Sequence, residues 1–145
     1  FIDVVPKLGG PLAKPIVGRG AAFADFDKNG TLDVLVTENG GSAHLYRNDT
    51  KLNNYIRINV RSISSNRDGL STKLVAITKS KRMERSVRTG SSFMSQSEKT
   101  VTFGLGSNNA IDSLFVYWPN GLTELYENIP SNQEITVLEQ KGLIR

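Results

Sequence analysis

"SLFVYWPNGLTELYE", residues 113–127, decides the fold. Side chains of an extended chain alternate between two faces, so Leu114, Val116 and Trp118 share one of them. The "PNG" at 119–121 then breaks the pattern. Pro119 fixes φ, and Asn120 and Gly121 tolerate positive φ, so the stretch reads as a β-hairpin. The same period recurs outward from it. "EITVLEQ" (134–140) reads as a last strand, and "TVTFGLG" (100–106) places Val101, Phe103 and Leu105 on one face. "KLVAIT" (73–78) and "RSVRT" (85–89) flank "KSKRME" as a hairpin with Lys79, Lys81 and Arg82 at its tip. In "YIRINVR" (55–61), Ile56, Ile58 and Val60 alternate with Arg57, Asn59 and Arg61, the pattern of a half-buried strand with a charged outer face. No long segment repeats apolar residues at i, i+3, i+4 and i+7, the mark of an amphipathic helix. The class is all-β.

The chain has 145 residues and no cysteine, which excludes disulfides and thiolate chemistry. That length can bury a core without staples. No apolar run is long enough to span a bilayer, and no signal peptide is present. The chain opens on Phe1, so we expect a processed chain or a fragment of something longer. Charge is unevenly spread. Residues 1–50 carry a net −1, residues 51–100 a net +8, and residues 101–145 a net −3. A basic middle predicts a positive face, not a uniformly basic nucleic-acid binder. The alternative is a solvated strand pair.

The first fifty residues read as strand, acidic loop, strand, Gly-Gly turn and strand. Pro6, Pro11 and Pro15 with Gly9 and Gly10 make the stretch before them a loop. A boundary falls within Asp49–Asn54, giving domains at 1–50 and 51–145. The acidic loop is "DFDKNGTLD", 25–33. Its spacing, D-x-D-x-N-G-x-x-D, suits a hard cation with oxygen ligands, and calcium above all. Asp25, Asp27 and Asn29 can converge on one point, Thr31 can offer its backbone carbonyl, and Asp33 can close the shell. Gly30 permits the bend. Val36 stands where a helix–loop–helix site would need glutamate, so a loop between two strands is the better context. Magnesium favours a shell with retained waters, and zinc would want His or Cys, neither of which is near. The alternative is an Asx-rich turn with solvated carboxylates. No second such loop exists in the chain, and repeat architectures need several copies.

The stretch "GRGAAFADFDKNGTLDVLVTENGGSAHLYRND" (18–49) resembles a blade of the FG-GAP/VCBS family, the calcium-loop repeat of integrin-type β-propellers. "FIDVVPKLGG" resembles the tail of a preceding repeat. From about Asn54 to Glu139 the chain resembles the ASPIC/UnbV domain, on "SNRDG" (65–69), "VRTGSSFMSQSEKTVTFGLG" (87–106) and "VYWPNGLTELYENIP" (116–130). The resemblance implies a C-terminal piece of a secreted or periplasmic protein of the cartilage acidic protein-like family. It implies calcium ligands at Asp25, Asp27, Asn29, Thr31 (backbone) and Asp33. It also implies that the missing propeller blades of the parent are partners. Two departures stand out: "GLSTKL" (69–74) replaces a small-residue step, and Asn29 stands where aspartate is common.

The expected architecture is therefore a partial β-propeller blade with a calcium loop, followed by a small antiparallel β-sandwich or barrel. Within the second part, Gly90, Ser91, Ser92, Ser95, Gln96 and Ser97 form a polar loop. Ser92 and Gln96 are candidates for hydrogen bonds to sugar hydroxyls; the alternative is a serine-rich turn. Phe93 and Met94 read as core or loop anchors, and Trp118 as core. His44 alternates with Tyr46 and reads as packing or solvent-facing. No nucleophile elbow is present. No carboxylate pair among Glu84, Glu98, Glu124 and Glu127 is fixed at a working separation by sequence. We therefore expect a calcium-binding extracellular binding, adhesion or scaffold module without catalysis of its own. The alternatives are recognition of an anionic glycan, using Arg57, Arg61, Lys79, Lys81, Arg82, Arg85 and Arg88 if they share a face, or an accessory part of a carbohydrate-active or biosynthetic enzyme. The basic stretch lacks the interleaved aromatics of a nucleic-acid binder. Unpaired sheet edges favour self-association or docking on a protein partner.

Overall fold

The computed structural model describes residues 1–50 and 53–144, so the expected boundary at 50/51 partly falls outside the described residues. The chain opens with a helical turn, α1 (Val5–Leu8), and a 3-10 turn at Pro11–Ala13. Pro6 and Pro11 stand in the first turn of each, where a missing N–H costs nothing. The opening is thus less irregular than its prolines suggest.

Three strands follow: β1 (Gly18–Ala24), β2 (Asp33–Glu38) and β3 (Ala43–Tyr46). They form an antiparallel meander, with the acidic loop joining β1 to β2 and Gly40 at φ 75° turning β2 into β3. Sequence alternation anticipates all three.

The rest is a sandwich of two four-stranded sheets. One has the order β11–β10–β5–β6, from β5 (Lys73–Ile77), β6 (Arg82–Ser86), β10 (Ala110–Tyr117) and β11 (Thr123–Pro130). The other has the order β13–β12–β4–β9, from β4 (Asn54–Arg61), β9 (Val101–Gly106), β12 (Gln133–Leu138) and β13 (Gly142–Ile144). A two-stranded hairpin, β7 (Gly90–Ser92) and β8 (Ser95–Gln96), projects between β6 and β9 in sequence. All pairs are antiparallel except β4 with β12. These two strands are far apart in sequence and meet in the centre of a sheet. The long connection between them is what a parallel pair needs. No sheet closes into a barrel among the described residues. The expected last strand, β12, is followed by β13, a short edge strand.

The alternating apolar positions meet between the sheets. Ile56, Ile58, Phe103, Leu105, Ile135 and Val137 come from one sheet, and Leu74, Ala76, Ile111, Leu114, Val116 and Ile129 from the other. Trp118 is buried with them, as its spacing predicts. Its indole N–H donates to Glu124 Oε2 at 2.5 Å, so the ring's polar edge is satisfied. Gly121, at φ 88°, makes the "PNG" turn, closed by Gly121 N–H to the Trp118 carbonyl at 3.0 Å.

One strand departs from its expected pattern. Arg57 of β4 is buried, while Arg61 of the same strand is exposed. The charged outer face of β4 is covered at one end by the acidic loop and by Glu98. Arg82 also departs from expectation, lying in β6 and not at the hairpin tip, which Lys79 and Lys81 share with Ser80.

Candidate metal centre

The acidic loop folds back on itself because its carboxylates bond its own backbone. Asp25 Oδ1 accepts the N–H of Asn29 at 2.9 Å, and Oδ2 accepts the N–H of Gly30 at 2.8 Å. Asp33 Oδ2 accepts the N–H of Phe26 at 2.9 Å, and its Oδ1 that of Asn48 at 2.8 Å. Asn29 Oδ1 accepts the N–H of Thr31 at 2.8 Å. The Thr31 hydroxyl lies 2.7 Å from the Asn48 carbonyl oxygen, tying the loop to the end of β3. Gly30 has φ 91° and packs so closely on the Tyr55 ring of β4 that a Cβ would overlap it. Glycine is therefore required here twice over.

These bonds draw three carboxylates together. One oxygen from each of Asp25, Asp27 and Asp33 lies within 4.8 Å of the others. Asp25 and Asp33 are buried, and Asp27 is exposed. A carboxylate offers about four lone-pair sites. Asp27 has one used, by the Asn29 N–H at 3.3 Å, and its second oxygen has none. Asp33 has two used. The donor set is all hard oxygen, and free lone pairs remain on each carboxylate. The three aspartates fit a calcium ion on these grounds.

A positive group also stands beside the loop, and it belongs to the protein. Arg57 Nη1 donates to Asp25 Oδ2 at 2.9 Å. The same guanidinium grips Glu98 with both oxygens, at 3.2 and 2.9 Å, and donates from Nε to Glu134 Oε2 at 3.0 Å. Its side chain is 6% exposed, and that of Asp25 is fully enclosed. Burial works against the Arg57 charge, but the bonds to Glu98 and Glu134 outweigh it and hold the guanidinium above its ordinary value. Burial likewise opposes the Glu134 charge; Arg57 and Asn59 overcome it and hold the carboxyl below the usual range. Arg57 thus ties the N-terminal meander to both β12 and the segment before β9.

The serine-rich loop has a definite place. Ala21 N–H of β1 donates to Ser92 Oγ at 3.0 Å, and Phe23 N–H to Ser97 Oγ at 3.1 Å. Glu98 N–H donates to the Phe23 carbonyl at 3.0 Å. Ser92 therefore covers the edge of β1, an economical way to blunt an unpaired strand. Gln96 is exposed beside it. Phe93 lies under the Arg19 guanidinium, 4.4 Å from its ring centre. Met94 is 91% exposed at the hairpin tip and Phe93 is exposed too, so of the two expected roles, core or loop anchor, neither residue is core. His44 stacks on Tyr46, and its Nε2 lies 3.0 Å from Glu38.

The seven candidate cations do not share one face. Arg57 is committed to its carboxylates, and Arg61 lies on β4. Lys79 and Lys81 stand at the β5–β6 tip, Arg82 pairs with Glu84 at 3.2 Å, and only Arg85 and Arg88 border a common cleft.

Sequence reasoning misses a third buried carboxylate, Glu139, just after β12. It accepts N–H groups from Ile63 and Ser64 at 2.7 and 2.9 Å, the Ser64 hydroxyl at 2.6 Å and Asn120 Nδ2 at 2.6 Å. The Ser62 hydroxyl also donates to it. The hydroxyls of Ser62 and Ser64 lead in holding its carboxyl down at about 2. Its donors are mostly some 75 residues away, so no local pattern announces it.

A family model described as ASPIC and UnbV matches residues 62–144, more than half of the chain. The chain belongs to the ASPIC and UnbV family. The ASPIC/UnbV match begins immediately after β4, yet β4 lies at the centre of a sandwich sheet between β12 and β9. The folded ASPIC/UnbV unit therefore includes a strand upstream of the matched span. Glu139, its donors and the Trp118 turn all lie within that span. No curated protein matches the chain.

Proposed function

We propose that this chain is a calcium-binding, non-catalytic binding or scaffold module of a larger extracellular or periplasmic protein. Its first fifty residues would be the end of an FG-GAP/VCBS-type propeller. The observation that carries this reading is the convergence of Asp25, Asp27 and Asp33 on one point, with lone pairs to spare, in an ASPIC/UnbV chain. Asn29 and the Thr31 carbonyl would complete the oxygen set. Arg57 already neutralises part of the charge, so the ion would add stability to a loop that is shaped before it binds. The outer face of the meander supports a neighbouring element in the parent protein. There Phe26, Leu35 and Leu45 are exposed around a shallow cavity of about 240 Å³.

Thermal unfolding tests the metal reading. Calcium at a hundredfold excess over its dissociation constant should stabilise the chain by about 2.7 kcal/mol relative to chelator. That is a rise in Tm on the order of 5–10 °C for a chain of this size. Magnesium should give less. Equal midpoints in calcium and in chelator would refute the reading.

A further inference from the structure

We propose that the cleft between the N-terminal meander and the sandwich binds an acidic sugar unit of a polysaccharide, with Arg85 and Arg88 taking its negative group. The cleft has a volume of about 180 Å³. Its cations are Arg85, Arg88 and Lys99, the last paired with Asp68 at 2.8 Å, and its apolar side includes Phe23 of β1 and Leu32 of the acidic loop. Neither arginine has an ion-pair partner among the described residues, unlike Arg57, Arg82 and Lys99. Arg85 spends one Nη1 bond, at 3.0 Å, on the carbonyl of Glu84. The same two arginines also line an adjoining cleft with Glu84 and Ser86 of β6.

Three features turn this from a charged rim into a saccharide site. Ser86, Thr89 and Ser91 line the cleft and bring hydroxyls to its wall. Glu98 also lines the cleft, but Arg57 holds both of its oxygens, so its repulsion of an incoming anion is offset. Phe23 offers an aromatic wall, and one arginine fork can hold a carboxylate or sulfate with two parallel bonds. Hydroxyl donors, an apolar wall and two guanidinium groups are together the complement of an acidic pyranose. A bare anion would not use the wall, and a nucleic-acid strand would want more than one stacking ring.

This inference rests on the reading of the chain as a binding module but not on calcium. The test measures affinity at low salt for a sulfated heparin hexasaccharide, for an oligogalacturonate that carries carboxylates alone, and for a polyglutamate of matched charge. The parent chain is compared with Arg85→Gln/Arg88→Gln and with the hairpin-tip pair Lys79→Gln/Lys81→Gln. We expect one or both saccharides to bind, and the saccharide that binds tighter names the anionic group. The cleft pair should lose about tenfold or more, as for hydrogen bonds to charged groups. The tip pair should lose less than about twofold, a screened surface effect. Equal losses in the two pairs, polyglutamate binding as tight as the saccharides, or no saccharide binding would each overturn the proposal. Calcium titration of the cleft variant should match the parent, so failure here is distinct from failure of the metal reading.

Discussion

Arg57→Ala is expected to cost about 3–5 kcal/mol, the range for removing one partner of a buried ion pair. That is a large share of the roughly 5–15 kcal/mol that holds a domain together. The cost arises because Asp25 is fully enclosed and Glu98 is partly buried, and both would be left without their counter-charge. Glu134, more open to solvent, adds less. Arg57→Lys should rescue little, since an ammonium cannot grip Glu98 with two parallel bonds while reaching Asp25 and Glu134. Adding Asp25→Asn and Glu98→Gln to Arg57→Ala should recover part of the loss, because it removes the stranded charges. Urea denaturation measures all of these. A cost below about 1 kcal/mol would mean that the cluster behaves as a surface ion pair and does not join the meander to the sandwich.

The second large effect lies at Glu139. Its five donors come from the β4–β5 loop and the Trp118 turn, so one carboxylate pins two connections to the end of β12. Glu139→Gln puts an NH₂ among groups that are themselves donors, and leaves at least one of them unmatched. Its unfolding midpoint should fall further than that of Ser62→Ala or Ser64→Ala. The pH dependence follows from the depressed carboxyl. The folded value is about 2, against about 4.3 unfolded. The unfolded state therefore binds the proton first as pH falls. The stabilisation is complete above about pH 4.3 and is lost between there and about pH 2. Glu139→Gln should flatten that acid limb. An unchanged limb would show that other carboxylates carry it.

The sandwich core is legible in the sequence because period-two alternation is a local signal. Ile56, Phe103, Val116 and Trp118 each stand in such a run, and each is buried. Pairing between strands is not local. Nothing in "YIRINVR" or "EITVLEQ" says that β4 and β12 run parallel. The same limit explains Arg57 and Arg61, which alternation places on one face as equals. Only the docking of the acidic loop over one end of β4 makes Arg57 a buried hub and leaves Arg61 outside. The loop itself is legible as a convergence of oxygens, since Gly30 and the alternate aspartates dictate its turn. Its counter-charge, from a residue 32 positions away, is not. The "GSSFMSQS" segment reads in sequence either as a ligand loop or as a serine-rich turn; in the structure Ser92 and Ser97 accept backbone N–H groups on the edge of β1, a pairing that no local pattern announces.

The most direct measurement is calorimetric titration of chelator-treated chain with calcium, beside Asp27→Asn. Asp27 is exposed, bonds only the Asn29 N–H and does not touch Arg57, so its substitution spares the ion-pair cluster. The parent should bind one calcium with measurable heat, and Asp27→Asn should bind it much more weakly at an unchanged unfolding midpoint in chelator. Absence of heat from the parent, or equal affinity in the two, would contradict a calcium site in the acidic loop.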